Sequence, residues 1–380
     1  MSLNRYFTLG RSGLRISRLA FGAMTFGKEW GWGSEKATAQ SIFDCFIDAG
    51  GNLIDTSDYY TAGTSETWLG EFVRARGVRD RVVIATKFAN STAPGDPNAG
   101  GNGRKHIQQA VEASLRRLGT DYIDLYQLHI WDQITPAEEV MRCLDDLVRA
   151  GKVRYIGLSD IPAWYASRAQ TLAELRGWTP LVAMQLEYSL VERGIEQEYT
   201  RLATEMGMGL LSWSPLASGF LTGKYGKDAA AHGRLAGTKG VTNNPWYARF
   251  TERNLAILAE LDAVAREVGR SMAQVAIHWV LRRPAVAGAI IGATTLEQLQ
   301  DNLGAVDFVL PDELLARLDA VSAPRETFPY YFFGKDFPEY QWAVHGAVVG
   351  DKPDGYLRPI RIENAAPPVV GAKLGGVERG

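Results

Sequence analysis

Residues 123–128, Ile123-Asp124-Leu125-Tyr126-Gln127-Leu128, form a short apolar run that predicts a buried strand. A helical pattern follows, which Thr135-Pro136 opens and Ala150-Gly151 ends. The next run, Tyr155-Ile156-Gly157-Leu158, predicts a second strand. This succession of strand, helix and strand is the repeat from which parallel sheets are built.

The same alternation extends in both directions along the 380 residues of the chain. Eight apolar runs occur in one series, and they begin at Leu19, Leu53, Val82, Ile123, Tyr155, Val182, Leu210 and Ala289. Eight such repeats predict an α/β protein with a closed (β/α)8 TIM barrel. An open doubly wound sheet is the alternative, but no Gly-x-Gly-x-x-Gly motif opens a helix after a strand. Residues 6–20, before the first run, predict a β-hairpin around a turn at Gly10 to Gly13.

The composition argues against several classes of protein. The chain has 41 Lys and Arg against 43 Asp and Glu, a formal charge of −2, and no basic block. This disfavours nucleic acid or an anionic membrane as a partner. No run approaches the ~20 apolar residues of a membrane span, and the N-terminus does not resemble a secretory signal. The two cysteines, Cys45 and Cys143, fall in predicted helices, so we expect a cytoplasmic protein without a disulfide framework.

Two segments interrupt the alternation. Residues 216–250, after the seventh run, are too long for a structureless connection, which predicts a loop that covers a ligand. Residues 1–324 are expected to form the barrel, and residues 325–380 a C-terminal extension rich in aromatic side chains. This extension is expected to pack against the outer helices of the barrel or to cover the active-site mouth as a lid.

Polar residues end successive apolar runs: Asp55 follows the second, Lys87 the third and His129 the fourth. Because strand ends converge in a barrel, these side chains are predicted to share one pocket. Asp55 and Lys87 would form a buried ion pair, which stabilises a fold poorly and therefore indicates a functional role. Tyr60 could reach the same pocket, where a charged Lys87 would lower the pKa of the phenol and make it a usable proton donor near neutral pH.

Longer motifs around these residues resemble those of the aldo-keto reductases. They are residues 51–60 (Gly-Asn-Leu-Ile-Asp-Thr-Ser-Asp-Tyr-Tyr), 63–70, 85–87, 121–129 and 151–159. The resemblance extends over roughly residues 5–322. The motifs are most similar to those of the branch that includes the potassium-channel beta subunits and their bacterial relatives. It implies that Asp55, Tyr60, Lys87 and His129 are catalytic. Hydride would pass from a reduced nicotinamide to a carbonyl carbon while Tyr60 protonates the oxygen.

The resemblance also implies which residues hold the dinucleotide. Ser159 and Gln185 would bond the nicotinamide carboxamide, and Trp213 would stack on its ring. Asp160 departs from the family pattern, since many members have Asn there, and an ionised Asp160 can only accept hydrogen bonds. The other implied contacts lie on strand ends and two loops: Gly22, Ala23, Met24, Asp55, Ser214, Pro215, Leu216, Ser218, Gly219, Lys224, Arg234, Gly292, Thr294, Gln298, Asp301 and Asn302.

The resemblance favours NADP(H) over NAD(H), which stays possible. Neutral side chains at Thr294 and Gln298 resemble a branch that binds the extra phosphate without a cation there, supported by the loop cations Lys224 and Arg234. The substrate is expected to be a small carbonyl compound or alcohol, hydrophobic or ring-containing. Its pocket would be lined by Trp30, Tyr60, His129 and Trp131.

Two other functions are compatible with the sequence. A channel-beta-like regulatory subunit would keep the cofactor and the four catalytic residues. A Schiff-base aldolase would use Lys87 as a nucleophile, although Asp55 would raise the pKa of that lysine and oppose this chemistry. The five histidines show no paired metal-binding spacing, so no metal is predicted. A homo-oligomer is possible.

Overall fold

A short antiparallel hairpin precedes a closed barrel of eight parallel strands in the computed structural model of the chain, which describes residues 3–225, 235, 244 and 247–332. The strands are β1 Tyr6–Thr8, β2 Arg15–Ser17, β3 Leu19–Gly22, β4 Leu53–Asp55, β5 Val83–Phe88, β6 Ile123–Leu128, β7 Val153–Ser159, β8 Leu181–Glu187, β9 Gly209–Trp213 and β10 Val286–Ile291. The barrel strands are hydrogen-bonded in the order β10-β3-β4-β5-β6-β7-β8-β9. The predicted TIM barrel and hairpin are thus confirmed.

Helices surround the barrel, and several begin with side-chain caps. Thr251, Ser271 and Thr295 each accept a hydrogen bond from a backbone amide of the helix that follows. Among the described residues no helix is long and apolar enough to cross a membrane. The α-helices are α1 Lys36–Asp48, α2 Thr64–Arg76, α3 Arg104–Leu118, α4 Ala137–Arg149, α5 Ala163–Arg176, α6 Tyr199–Met206, α7 Glu252–Val268, α8 Met272–Leu281, α9 Leu296–Leu303 and α10 Asp312–Ser322.

The barrel strands are buried on both faces because helices cover them outside and their own side chains fill the inside. Every residue of β3, β4, β5 and β10 is buried. An apolar cluster that includes Leu53, Ala85 and Leu125 fills the interior, and Ile54 belongs to the larger cluster between strands and helices. Polar side chains at the strand ends therefore lie above an apolar floor.

The hairpin packs against the amino-terminal ends of the barrel strands. Leu9 and Ile16 join the interior apolar cluster, and the Arg11 amide donates to the Gly207 carbonyl at 2.7 Å. Gly10 has φ +56°, and a Cβ built there would lie 2.5 Å from the Val182 carbonyl oxygen, so only glycine allows this approach. The hairpin therefore covers the amino-terminal end of the barrel, and the carboxyl ends of the strands are left available for a functional site.

The chain divides into two compact units, Met1–Ala323 and Pro324–Gly380. The first contains the barrel, and the described part of the second includes a 3-10 turn at Tyr330–Phe332. Residues 1–2, 226–234, 236–243, 245–246 and 333–380 lie outside the described residues. The roles expected for the C-terminal extension therefore stay predictions. Cys45 and Cys143, in α1 and α4, are both free.

Gly70 of α2 provides a test of helix packing around the barrel. A Cβ built on it would lie 2.2 Å from the carbonyl oxygen of Leu118, at the end of α3. Alanine normally stabilises a helix by about 1 kcal/mol relative to glycine. We expect Gly70→Ala instead to lower the free energy of unfolding by about 1–3 kcal/mol, because the two helices must separate. Denaturant unfolding measures the change.

The matched control is Gly13→Ala on the exposed hairpin turn, where a built Cβ meets nothing within 4 Å. This variant should change the free energy of unfolding by less than about 0.5 kcal/mol. Equal effects of the two substitutions would contradict the packing argument.

Candidate active site

One cavity of about 970 Å³ lies over the carboxyl ends of the strands. It contains Asp55, Tyr60 and His129 at one part of its wall and Thr294, Gln298 and Asn302 at another. A cavity of this size falls within the range of ligand pockets. Its lining comes from loops and strand ends that are distant in the sequence, which is how sites are assembled in this type of barrel.

Asp55 and Lys87 form the predicted ion pair within this site. Lys87 is fully buried, and its Nζ lies 2.7 Å from Asp55 Oδ2. The same Nζ donates to the Thr56 carbonyl at 2.8 Å and to the Tyr60 hydroxyl at 3.3 Å. The second oxygen of Asp55 accepts from Gln185 Nε2 at 2.8 Å. All three ammonium hydrogens therefore have an acceptor, and the buried charges are compensated.

The pKa of Lys87 is raised in this environment. Burial opposes the charged form, but the charge of Asp55 and the contact with Tyr60 outweigh it. The lysine is therefore an ammonium at neutral pH. This protonation state agrees with the expectation from the sequence that Asp55 keeps Lys87 charged.

The pKa of Tyr60 corrects an expectation from the sequence. Burial raises the pKa of this phenol; Lys87 lowers it and Asp55 raises it further, and the resulting shift is upward. Lys87 acts in the predicted direction, but the predicted net lowering of the pKa is wrong, because the cost of burying a phenolate exceeds the stabilisation that one already paired ammonium provides. Tyr60 is a neutral phenol at neutral pH, and its proton is retained for donation.

His129 is held by two neighbours on one ring nitrogen. Its Nδ1 lies 3.0 Å from Asn90 Nδ2 and 3.1 Å from Ser57 Oγ. The amide nitrogen of Asn90 can only donate, so Nδ1 is the acceptor and the ring hydrogen lies on Nε2. Burial, and then the charge of Lys87, hold the pKa of His129 well below its usual value. The ring is therefore neutral and offers an Nε2–H donor beside Tyr60, whose ring centroid is 5.6 Å away.

Asp160 and Trp213 meet at the ends of β7 and β9. Trp213 Nε1 donates to Asp160 Oδ1 at 3.0 Å, and both residues line the cavity with Gln185. Burial raises the pKa of Asp160 to about 7, while the hydrogen bond from Trp213 favours the carboxylate. Ser159 is buried and is not part of the lining.

The remaining predicted cofactor contacts are mostly brought together. Asp301 lines the cavity but uses its carboxylate to accept from Ser271 Oγ at 2.8 Å and Gln274 Nε2 at 2.9 Å. Ala23 is buried and does not line the cavity, and Arg234 lies outside the described residues. Those that line it are Gly22, Met24, Ser214, Pro215, Leu216, Ser218, Gly219, Lys224, Gly292, Thr294, Gln298, Asp301 and Asn302.

Aromatic side chains form a wall beside Tyr60. Trp30 has ring-centroid distances of 5.7 Å to Trp32, 5.5 Å to Tyr59 and 6.1 Å to Tyr60. All four rings line the cavity. Trp131, predicted to line the substrate pocket with Trp30, is not part of this lining. It packs edge to face on Trp164 at 5.5 Å, because the loop after β6 directs it toward α5.

Sequence reasoning missed several lining residues, of which Asn90 bears most directly on the chemistry. It occurs in the sequence Asn90-Ser91-Thr92, which resembles a glycosylation acceptor, and this motif does not indicate a contact with His129. Its position three residues after Lys87, just beyond a strand end, was the available signal. Trp32 and Tyr59 were also missed. Trp32 lies two residues after Trp30, and Tyr59 directly precedes Tyr60, so nearness to another predicted lining residue was the available signal.

The chain belongs to the aldo/keto reductase family, whose model matches residues 18–323. It is 38% identical over 326 residues to an uncharacterized oxidoreductase, YrpG, of Bacillus subtilis, which covers 83% of this chain and 95% of that protein. It is 35% identical to an NADP(+) aryl-alcohol dehydrogenase of Phanerodontia chrysosporium, with 88% and 90% covered. A norsolorinic acid reductase of Aspergillus flavus is 32% identical, with 84% and 81% covered. The chain is therefore an oxidoreductase of a family that generally uses nicotinamide cofactors.

Asn90→Asp tests the tautomer of His129. An ionised Asp accepts where Asn donates, so we expect the ring hydrogen to move to Nδ1 and the pKa of His129 to rise from its depressed value. Nitrogen-15 NMR of labelled histidine over a pH series reports both changes. Asn98→Asp, on an exposed loop, makes the same chemical change away from the site and should leave His129 unaltered. An unchanged His129 titration in Asn90→Asp would contradict the assignment.

Proposed function

We propose that this protein is an NADP(H)-dependent reductase that transfers hydride between the nicotinamide and a carbonyl or secondary-alcohol carbon, with Tyr60 as the general acid or base. One observation carries the proposal. Lys87 Nζ donates to both Asp55 and Tyr60, so the neutral phenol of Tyr60 and the Nε2–H of His129 line one cavity, and a buried, compensated ammonium contacts that phenol. These groups are suited to an oxygen that gains negative charge.

Tyr60, Lys87 and His129 would each have a separate role at the substrate oxygen. The bound cofactor would supply the hydride to the carbonyl carbon. Tyr60 would give its proton to the substrate oxygen, and Lys87 would stabilise the phenolate that this leaves. His129, neutral and with its hydrogen on Nε2, would donate a hydrogen bond to the same oxygen and orient the carbonyl. In the oxidative direction the phenolate would take the proton back from the alcohol.

The cavity offers polar and aromatic groups that fit a dinucleotide. Asp160 and Gln185 would hold the nicotinamide carboxamide, and Trp213 would cover the nicotinamide ring. Ser159, the last residue of β7, is a buried hydroxyl directly before Asp160. The loop after β9 contributes the cation Lys224 to the cavity wall. The other residues between 214 and 224 that line the cavity would hold the pyrophosphate. The adenosine end would lie at the start of α9.

Preference for NADP(H) is supported by the region before α9. The amide and hydroxyl of Thr294 both donate to Gln298 Oε1, at 2.9 and 3.1 Å. This orients the Gln298 side chain so that its amide nitrogen can donate to a phosphate oxygen. The relative from Phanerodontia chrysosporium named for NADP(+) favours the same cofactor.

An aromatic carbonyl or benzylic alcohol is the substrate class we propose. The wall of Trp30, Trp32 and Tyr59 next to Tyr60 provides ring faces and edges against which a planar substrate can pack. Relatives named as an aryl-alcohol dehydrogenase and a norsolorinic acid reductase support this choice.

The two competing functions receive less support. A Schiff-base nucleophile needs an unprotonated amine, whereas Lys87 is charged and all three of its hydrogens are bonded. A channel-beta-like regulatory role would not require Tyr60 and His129 to be arranged as a proton donor and a hydrogen-bond donor in one cavity. The similarity to that particular branch stays a prediction.

Parallel fluorescence titrations with NADPH and NADH test the cofactor. We expect both to bind and NADPH to bind at least tenfold more tightly, because only it carries the extra phosphate. With the preferred cofactor, aromatic aldehydes should be reduced at higher kcat/KM than straight-chain aldehydes of similar mass. Absence of binding by either dinucleotide would overturn the proposed function.

Tyr60→Phe separates chemistry from binding. The substitution removes the proton donor and should lower kcat by about 10²–10⁴, the usual contribution of general acid catalysis, while NADPH affinity stays within about threefold. Steady-state rates and fluorescence titration measure the two effects. Tyr122→Phe, which removes a hydroxyl on the outside of the barrel that is hydrogen-bonded to Asp80, should leave kcat unchanged. A Tyr60→Phe variant with wild-type kcat would exclude Tyr60 as the acid.

A further inference from the structure

A carboxylate stands at a place in the cavity where the family resemblance leads one to expect a neutral amide. Asp160 follows the last residue of β7 and has φ +43°, a left-handed conformation that Asp tolerates better than most side chains. Its amide donates to the Gln185 carbonyl at 3.3 Å, and its own carbonyl accepts from the Trp131 amide at 3.4 Å. The backbone therefore directs this side chain into the cavity.

The charges that face Asp160 come from several elements. Lys87 of β5 attracts its negative charge, and Glu187 at the end of β8 repels it. Glu187 is itself paired with Arg249. Tyr60 and Tyr199 also interact with Asp160, and both are neutral phenols because their pKa values are raised, first of all by burial. Among the described residues, no cation makes an ion pair with Asp160, so its charge acts on whatever the cavity holds.

This arrangement bears on the two redox states of the proposed cofactor. The oxidised nicotinamide ring carries a positive charge, and the reduced ring is neutral. Resting on the proposed function, we infer that the carboxylate of Asp160 makes the site bind the oxidised dinucleotide in preference to the reduced one. Asp160 thereby stabilises the positive charge that develops on the ring as hydride leaves it.

The physical reason is a fixed charge in a site of low polarity. Attraction between unit charges is weak in water and several times stronger inside a protein. Asp160 is already oriented by the hydrogen bond from Trp213, so it needs no reorganisation during hydride transfer. An asparagine at the same place would keep that hydrogen bond and lose the charge.

A pH dependence follows from the same charge. The pKa of Asp160 is raised to about 7, mainly by burial. The carboxylate is present above this pH, and a cationic ring favours it, so NADP+ should bind more tightly as the pH rises from about 6 to 8 and should release a proton on binding. NADPH, which has a neutral ring, should lack this gain. The preference for the oxidised form should therefore fade at low pH.

The experiment compares Asp160→Asn with the wild type by fluorescence titration of NADP+ and NADPH at pH 6 and pH 8. At pH 8 the ratio of Kd for NADP+ to Kd for NADPH should rise about tenfold in the variant, equivalent to about 1.4 kcal/mol. At pH 6 the two proteins should differ much less. The wild-type pH series is a second measurement that does not depend on the variant folding.

Glu187→Gln is the matched control, because it removes a neighbouring negative charge that Arg249 already neutralises. At pH 8, where Asp160 is ionised with or without this neighbour, the ratio should stay within about twofold of the wild type. An unchanged ratio in Asp160→Asn, or an equal loss of affinity for both dinucleotides, would overturn the inference and leave the proposed function intact. Failure of the wild type to bind either dinucleotide would overturn both.

Discussion

The buried ion pair between Lys87 and Asp55 is the constraint around which the site is built. Two charges at the end of a barrel with an apolar interior are costly unless every hydrogen-bonding group is used. Here the ammonium has three acceptors, and the carboxylate has a second donor in Gln185. The pair thereby links β4, β5 and β8 and holds Tyr60 in contact with a permanent positive charge.

The groups around this pair are kept neutral by the same burial. Tyr60 holds its proton because a phenolate is poorly solvated there, and His129 stays unprotonated because burial and Lys87 both oppose a second cation. One charged pair with neutral donors beside it suits a reaction in which negative charge appears on the substrate oxygen. Asp160, farther along the same rim, adds a carboxyl group that is negatively charged above about pH 7 on the side of the proposed cofactor.

Much of this arrangement could be predicted because it is local or follows from topology. The eight apolar runs and their spacing imply a closed barrel, and closure brings the ends of β4, β5 and β6 together whatever the loops do. The direction of the Tyr60 pKa shift could not be predicted, since it depends on how completely the ring is desolvated. The positions of Asn90 and Trp131 depend on loop conformations that no periodicity encodes.

The sequence by itself determined the order of strands and helices, the polar residues at the strand ends and their family resemblance, because periodicity and motif spacing are properties of the chain alone. Only the tertiary structure decided that Asn90 sets the tautomer of His129, that Trp213 donates to Asp160 and that Trp30, Trp32 and Tyr59 form one wall. These contacts join segments far apart in the chain, and their geometry depends on how the loops pack over the barrel.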